Sequence, residues 1–293
     1  MEDVVATLRR FNRSYTQRIG VLDDSFLGSG RALGPSRLLF EIGPTGAGVL
    51  DLRERLGLDS GYLSRLLRQL ESEGVVELTS DPADARRRVG TLTEHGLGEW
   101  SALDRKSDEL AERLVAPLSD RQRQQLGDAL ATAERLLRAA TATFDPVDPE
   151  SAEAIWALEQ YFAELDRRFT TGFDPGNALR DDAPAFRPPG GVFVVVHSDG
   201  ESVACGGVQR IDGTTGEIKR MWVHPEWRGV GLGRRLLDHL ERRCSELGRE
   251  RIVLDTNSVL TEAISMYERA GYRSRERYND NPYALRWFEK HLA

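Results

Sequence analysis

Cysteine is nearly absent from this sequence. Cys205 and Cys244 are the only two in 293 residues, too few for a disulfide framework or a zinc site. Such usage suits a reducing cytoplasm. Long apolar runs are missing too. The longest aliphatic and aromatic stretch is 192–196, far short of the ~20 residues that span a bilayer. The N-terminus, Met-Glu-Asp, has no basic region ahead of an apolar one, so neither a secretory signal nor a membrane partner is expected. Nor is there an excess of positive charge. The formal net charge is −7; residues 1–145 carry 20 Lys and Arg against 23 Asp and Glu, and the remainder 20 against 24. Neither half is basic, so any contact with nucleic acid has to come from a local patch.

What is present suffices for two cores. At roughly 150 residues per domain the length predicts two domains, and 40% hydrophobic with 30% charged residues disfavours long disorder, collagen and coiled coil. Residues 141–153 carry Pro146 and Pro149 and break a helical pattern. The boundary is placed there, giving domains 1–144 and 145–293.

The first half reads as helix. Val4, Leu8, Phe11, Tyr15, Ile19 and Leu22 recur at helical steps along one long amphipathic helix. Shorter helices follow over 35–42 and from Val49 to Leu56, the latter closed by Gly57. Asp59 and Ser60 supply N-cap chemistry for a helix whose stripe is Leu63, Leu66, Leu67 and Leu70, and Gly74 ends it. Strands over 75–78 and 89–93 flank a polar turn. Two further helices run over 97–115 and along Leu126, Leu130, Ala133 and Leu137.

Helix, turn, helix and hairpin is the winged helix-turn-helix order, whose second helix lies in the DNA major groove. With its leucines buried, that helix presents Ser60, Tyr62, Ser64, Arg65, Arg68 and Gln69 on its other faces, where arginine can pair with guanine and hydroxyls with bases or phosphates. Arg86, Arg87 and Arg88 are placed to reach the minor groove or backbone. Alone, such a run reads as a solvated turn, and the helix arginines as an exposed face. The segment LRERLGLDSGYLSRLLRQLESEGVVE, then DPADAR at 81–86 and LTEHG at 92–96, resembles the MarR family of bacterial transcription regulators. The resemblance implies a homodimer built from the first and last helices of this half, bound to a pseudo-palindromic double-stranded DNA. A winged helix kept only for dimerisation is the alternative.

The second half changes texture. A helix over 153–170 is followed by strands over 192–197, 202–211 and 216–224, a glycine-rich turn, a helix over 232–247, a strand over 251–256, a helix over 261–270, and strands near 273–278 and 284–288. This order indicates an α/β domain. The strand GEIKRMWVHP runs into Arg228, Gly229, Val230, Gly231, Leu232, Gly233 and Arg234. Glycines allow close backbone approach and the following helix offers free N–H groups, so a diphosphate is the natural guest. It is neither the dinucleotide fingerprint nor a Walker loop. Alone, it also reads as a tight strand-to-helix connection.

Arg228, Gly231 and Gly233 in R-x-x-G-x-G spacing, Met221, Trp222 and Val223 on the strand before, the segment Leu254, Asp255, Thr256, Asn257, and EAISMYERAGY at 262–272 resemble the GNAT acyltransferases over residue 153 to the C-terminus. The resemblance implies an acetyl-CoA site on those residues and on Arg234. Members often carry Asn seven residues before the helix tyrosine; here Leu260 stands there, and Asn257 is the candidate substitute. Glu217 is then the candidate base, directly or through water, or else a surface glutamate at a strand end. A backbone N–H near residues 221–223 is a candidate oxyanion donor. Tyr267, with an ordinary pKa near 10 against about 8.5 for a thiol, is the candidate proton donor to the leaving thiolate, or a buried structural tyrosine. Tyr278, Asn279, Asp280, Asn281, Pro282 and Tyr283 fall where the family borders its acceptor, with Asp280 for a cationic amine, Asn279 and Asn281 as amide partners, and Tyr278 and Tyr283 as walls. They also look like an ordinary surface turn. Trp222 and Trp287 are further candidate walls. Both cysteines read as core.

The expectation is thus a mainly α winged helix-turn-helix domain followed by an α/β GNAT domain. Its function would be acetyl transfer to the amine of a small molecule, with no metal. The alternatives are a transcription regulator whose second half only senses a ligand and, more weakly, a protein-lysine acetyltransferase.

Overall fold

The computed structural model describes residues 3–292 apart from 82–83, 85 and 177–180. The chain divides into two compact units, Met1–Gly127 and Asp128–Ala293.

In the first unit, α1 (Val4–Arg18) starts at Asp3, whose side chain accepts from Val5 N. It ends four residues earlier than its apolar pattern, and none of its residues is buried. Helices α2 (Leu33–Ile42), α3 (Val49–Leu56) and α4 (Ser60–Ser72) form the helical core. Gly57 closes α3 in the left-handed conformation, and the Asp59 carboxylate caps α4 by accepting from Tyr62 N at 2.9 Å. Leu63, Leu66, Leu67 and Leu70 all bury their stripe against Leu38, Leu39, Ile42 and Leu52. Strands β2 (Val76–Ser80) and β3 (Arg88–Leu92) pair antiparallel, and a two-residue strand β1 (Ala47–Gly48), unannounced by any pattern, adds to β3. Helix α5 (Glu94–Val115) follows, and α6 (Asp120–Thr141) starts in this unit and continues into the second, which begins at Asp128.

The second unit holds a sheet ordered β4-β5-β6-β7-β8-β10-β9, antiparallel except between β7 and β8. The proline-bearing segment is not a linker. It supplies edge strand β4 (Thr143–Val147), paired with β5 (Val192–Ser198). Pro146 is tolerated because an edge strand has one side free of ladder bonds. Strand β5 is apolar from Val192 to Val196 because both its faces are covered there. Val192, Val194 and Val196 pack with α8 (Leu232–Glu246), whereas Phe193 and Val195 pack with α7 (Ala152–Arg168). Cys205 and Cys244 are buried in these two layers. Strands β6 (Glu201–Arg210), β7 (Thr215–Val223) and β8 (Arg251–Thr256), helix α9 (Thr261–Arg269), and strands β9 (Arg273–Ser274) and β10 (Arg286–His291) complete it. Strand β9 is shorter than expected, and Tyr278 lies in the loop after it.

Leu70 is fully buried in the helical core. Leu70→Ala should cost about 2–5 kcal/mol through lost burial and a cavity. Arg65→Ala, on the exposed face of α4, should change stability by less than about 0.5 kcal/mol. Urea unfolding of the two variants checks this.

Candidate functional site

The site begins where two strands separate. β7 and β8 pair in parallel only at Thr215↔Arg251, Gly216↔Ile252 and Glu217↔Val253, whereas β7 stays on β6 as far as Ala204↔Val223. Beyond Glu217 one edge of β7 has no strand against it. Within that stretch the register on β6 shifts between Cys205 and Gly207, so Arg220 and Met221 together face Gly206, and Arg220 takes φ 57°. A left-handed arginine costs on the order of 1–3 kcal/mol and persists only where its surroundings enforce it. Here an ion pair with Asp182 and the Phe162 ring, 4.9 Å from the guanidinium, hold it. Gly206 leaves the bulge its room, since a Cβ there would lie 2.8 Å from Leu240 Cδ1.

The opening is a cleft of two chambers. One, of about 520 Å³, runs along Met221, Trp222, Val223 and the glycine turn, with Leu260, Ala263, Met266 and Tyr267 opposite. The other, of about 380 Å³, is lined by rings including Phe162, Phe173 and Tyr283, and by Asp182, Lys219, Arg220, Asp255 and Asn281. They meet at Tyr161, Leu165, Met221, Leu260, Ala263 and Tyr267.

The glycine turn fits a diphosphate. Gly229 and Gly231 have φ 79° and 83°, and a Cβ on either would meet no atom within 4 Å, so backbone conformation demands glycine while the space in front stays open. Gly231 is the N-cap of α8 and no side chain caps it. Arg235 returns its N–H to Gly231 O at 3.1 Å. The N–H groups ahead of it are those an uncapped helix leaves for an anion. Leu232 is buried and Val230 packs on the same core, so each offers only its backbone. Arg234 pairs with Asp238 at 2.9 Å.

Arg228 lines the first chamber. Its guanidinium is already engaged, donating to Val223 O (3.0 Å from Nε) and to the Glu164 carboxylate. Glu164 is a site residue that sequence reading missed. It lines the same chamber and accepts from Trp222 Nε1 at 2.9 Å. Burial pushes its pKa up, yet Arg228, Trp222 and Arg168 outweigh that and hold it below the usual carboxylate range. Only its i,i+4 spacing to Arg168 signals it in the sequence. Trp222 therefore walls the first chamber, not the acceptor side, and Trp287 lines neither chamber, its Nε1 donating to Asn279 Oδ1 at 3.1 Å.

Tyr267 lies at the junction, buried between Tyr272 and Phe288. Burial, with the nearby charges of Tyr161 and Asp255, pushes its hydroxyl well above the ordinary tyrosine value. The group keeps its proton and stands as a hydrogen-bond donor.

Glu217 does not line either chamber. It is 2% exposed, and its carboxylate accepts from Gln209 Nε2 (2.6 Å), Tyr278 Oη (2.7 Å) and Asn279 Nδ2 (3.3 Å), with Lys219 Nζ at 3.4 Å. Three carboxylates line the second chamber, Asp174, Asp182 and Asp255. Of these Asp182 is paired with Arg220, and Asp255, named in the sequence only as part of a motif, is the one tied to Lys219 and Asn279. Asn279 joins the two carboxylates and is a fastening rather than a lining residue. Asp280 points away, fully exposed and paired with Arg277 at 3.1 Å. Asn281 and Tyr283 do line the chamber. Asn257 lines this chamber rather than the first, and its amide donates to Tyr283 O at 2.8 Å. Tyr278 is turned onto Glu217.

Residues 152–272 match the model of the acetyltransferase (GNAT) family. The IAA acetyltransferase of Azospirillum brasilense is 31% identical over 120 residues, covering 41% of this chain and 78% of that protein. The chain belongs to the GNAT acetyltransferase family. A GNAT-family acetyltransferase structure from Staphylococcus aureus aligns with 52% of this chain and 100% of its own, at 19% identity and a TM-score of 0.46. Ahead of the GNAT domain, residues 35–87 match the MarR family. An uncharacterised HTH-type transcriptional regulator of Bacillus subtilis is 31% identical over 81 residues, and the chain spans about half of it (49%).

In the MarR-type region Ser60, Ser64, Arg65 and Arg68 are exposed on α4, as are Arg86, Arg87 and Arg88 beyond it. Tyr62 is half-buried, packed on the helical core and under the Arg65 guanidinium at 5.6 Å. Its hydroxyl occupies the space that a Cβ on Gly34 would need. Arg87 lies 3.7 Å from Asp84. Pro82, Ala83 and Ala85 of the expected wing lie outside the described residues.

The Glu164 network predicts a pH dependence. Because its folded pKa is lowered beneath an unfolded value near 4.3, its stabilisation is complete above about pH 5 and is lost as the pH falls through the folded value. Glu164→Gln should lower stability at pH 7 by about 1–3 kcal/mol and flatten the fall in Tm between about pH 5 and 3. Thermal melts across that range check both effects.

Proposed function

We propose that the protein is an acetyl-CoA-dependent N-acetyltransferase acting on the amine of a small molecule, joined to a MarR-type DNA-binding regulator. In this reading 1–144 is the regulatory part, 145–293 the enzyme, and the cytoplasm the site of both. Among the described residues no helix is long and apolar enough to cross a membrane. The observation that carries the enzyme reading is the convergence, at one cleft, of three features: the uncapped head of α8 behind Gly229 and Gly231, the unpaired edge of β7, and the Tyr267 hydroxyl.

Acetyl-CoA supplies an activated acetyl thioester. The backbone of residues 229–234 holds its diphosphate, and Arg228, fixed by Glu164, holds the turn rather than gripping phosphate directly. The free edge of β7 at Met221, Trp222 and Val223 lies along the pantetheine arm. A backbone N–H there donates to the carbonyl oxygen as charge develops. Tyr267 donates a hydrogen bond toward the sulfur as the C–S bond breaks, and regains a proton as it gives one, because burial keeps its hydroxyl neutral. Glu217 favours the alternative, a ligand sensor without turnover, because its carboxylate is already committed to several donors.

The DNA reading rests on the exposed face of α4 and the three arginines. The dimer rests on α1, whose Val4, Leu8 and Phe11 are 77%, 49% and 48% exposed, and on exposed Leu130 and Leu137 of α6. Such a stripe needs an apolar partner.

CoA release with a panel of amines tests the enzyme reading. Turnover with at least one amine is expected, and Tyr267→Phe should cut kcat about tenfold or more while calorimetric acetyl-CoA affinity stays within about twofold. Absence of turnover with every amine leaves the sensor reading.

Replacing Arg86, Arg87 and Arg88 by Ala should weaken binding to a site selected from random DNA. With both protomers losing three arginines, the slope of log affinity against log salt should fall by up to about 5. If selection yields no specific site, the first unit is a dimerisation module.

A further inference from the structure

In the acetyltransferase reading the ring-lined chamber, beyond the one beside the glycine turn, is where the acceptor amine would enter. One of its walls is a cluster of touching rings, with the Phe173 centroid 5.6 Å from Phe162, 5.9 Å from Phe169 and 4.7 Å from Tyr283. Opposed to these rings in chemistry is Asp255, whose side chain is 9% exposed. It receives amide donors from Asn279 (2.5 Å) and Asn281 (3.2 Å). The cation beside it, Lys219, stands 3.8 Å from Asp255 and 3.4 Å from Glu217, so one positive charge serves two carboxylates. The other lining cation, Arg220, is closed on Asp182. An incoming ammonium would relieve the negative excess. An incoming carboxylate would find both cations already paired and would have to lose its water without a partner. At about 380 Å³ the chamber is at the small end of ligand pockets, room for a ring on a short tether rather than for a multi-ring sugar.

Resting on the acetyltransferase reading above, the geometry points to an acceptor that is a primary amine carried on an aromatic ring and lacking a carboxylate, with its ring against Phe162, Phe173 and Tyr283 and its ammonium on Asp255. Asp255 is then the residue that receives the amine's proton, in place of the enclosed Glu217. The ammonium gives one proton to Asp255. The freed lone pair forms the N–C bond to the acetyl carbon, and the C–S bond breaks with its electron pair on sulfur. The second nitrogen proton passes to the Tyr267 oxygen as that hydroxyl hands its own to the thiolate, giving the CoA thiol and leaving Tyr267 protonated, and the proton on Asp255 passes to solvent.

The test uses the full chain and matched substrates: phenethylamine against phenylalanine, tyramine against tyrosine, tryptamine against tryptophan, with spermidine and kanamycin as non-aromatic amines. CoA release should show at least a tenfold higher kcat/KM for each aryl amine than for its amino acid, and than for spermidine or kanamycin. Asp255→Asn should lower kcat/KM for the preferred aryl amine at least tenfold with acetyl-CoA affinity retained, and Phe173→Leu should raise its KM more than it lowers kcat. Preference for amino acids or for spermidine overturns this acceptor class while leaving the acetyltransferase reading intact. Wild-type turnover in Asp255→Asn overturns the role of Asp255. No turnover with any amine overturns both readings. Should Asp255→Asn fail to fold, the substrate pairs on the unaltered protein still decide the acceptor class.

Discussion

Everything at the cleft depends on β7 losing its partner after Glu217. A strand inside a sheet has its backbone groups used on both sides. By pairing with β8 for only three residues and keeping β6 for its full length, β7 exposes one row of backbone donors and acceptors inside an otherwise dry core. The cost shows at Arg220, a left-handed arginine held by Asp182 and Phe162. The same separation lets α8 begin at the mouth of the opening, with Gly231 rather than a capping side chain at its head. Backbone edge, helix head and the Tyr267 hydroxyl thus share one cleft because one strand pair ends early.

The charges are arranged around that opening in two layers. Glu164, Arg228 and Arg168 brace the chamber beside the glycine turn, with Trp222 tied into the same network. Around the ring-lined chamber Glu217, Lys219, Asp255 and Asn279 form a second network. Asp255 is its member on the chamber wall, and Glu217 its enclosed one. An uneven balance of two carboxylates and one lysine is a reason for the chamber to favour a cation.

Much of this was legible in the sequence, for local reasons. The stripe Leu63, Leu66, Leu67, Leu70 fixes a helix by its spacing, and the arginines and serines opposite must then face out. Gly229 and Gly231 announce a turn that side chains cannot make. The less legible parts come from pairing at a distance. Strand β4 looks like a linker because its prolines argue against a strand, and only the antiparallel partner Phe193–His197 side of β5 makes it an edge. The Arg220 bulge arises from a register shift against β6. Glu217 reads as an accessible base until Tyr278 and Asn279, 61 and 62 residues away, close on it. Asp280 is the loop's obvious anionic residue, yet a turn carries it outward to Arg277, while Asp255 on the neighbouring strand takes the inward position.

The most direct measurement is amide hydrogen exchange on the full chain with and without acetyl-CoA. Slowed exchange is expected at the amides of residues 229–234, at the uncapped head of α8, and along the one edge of 218–223 that has no strand against it, with no change over 60–72. Unchanged exchange at 229–234 at saturating acetyl-CoA, or protection confined to other segments, would contradict this reading.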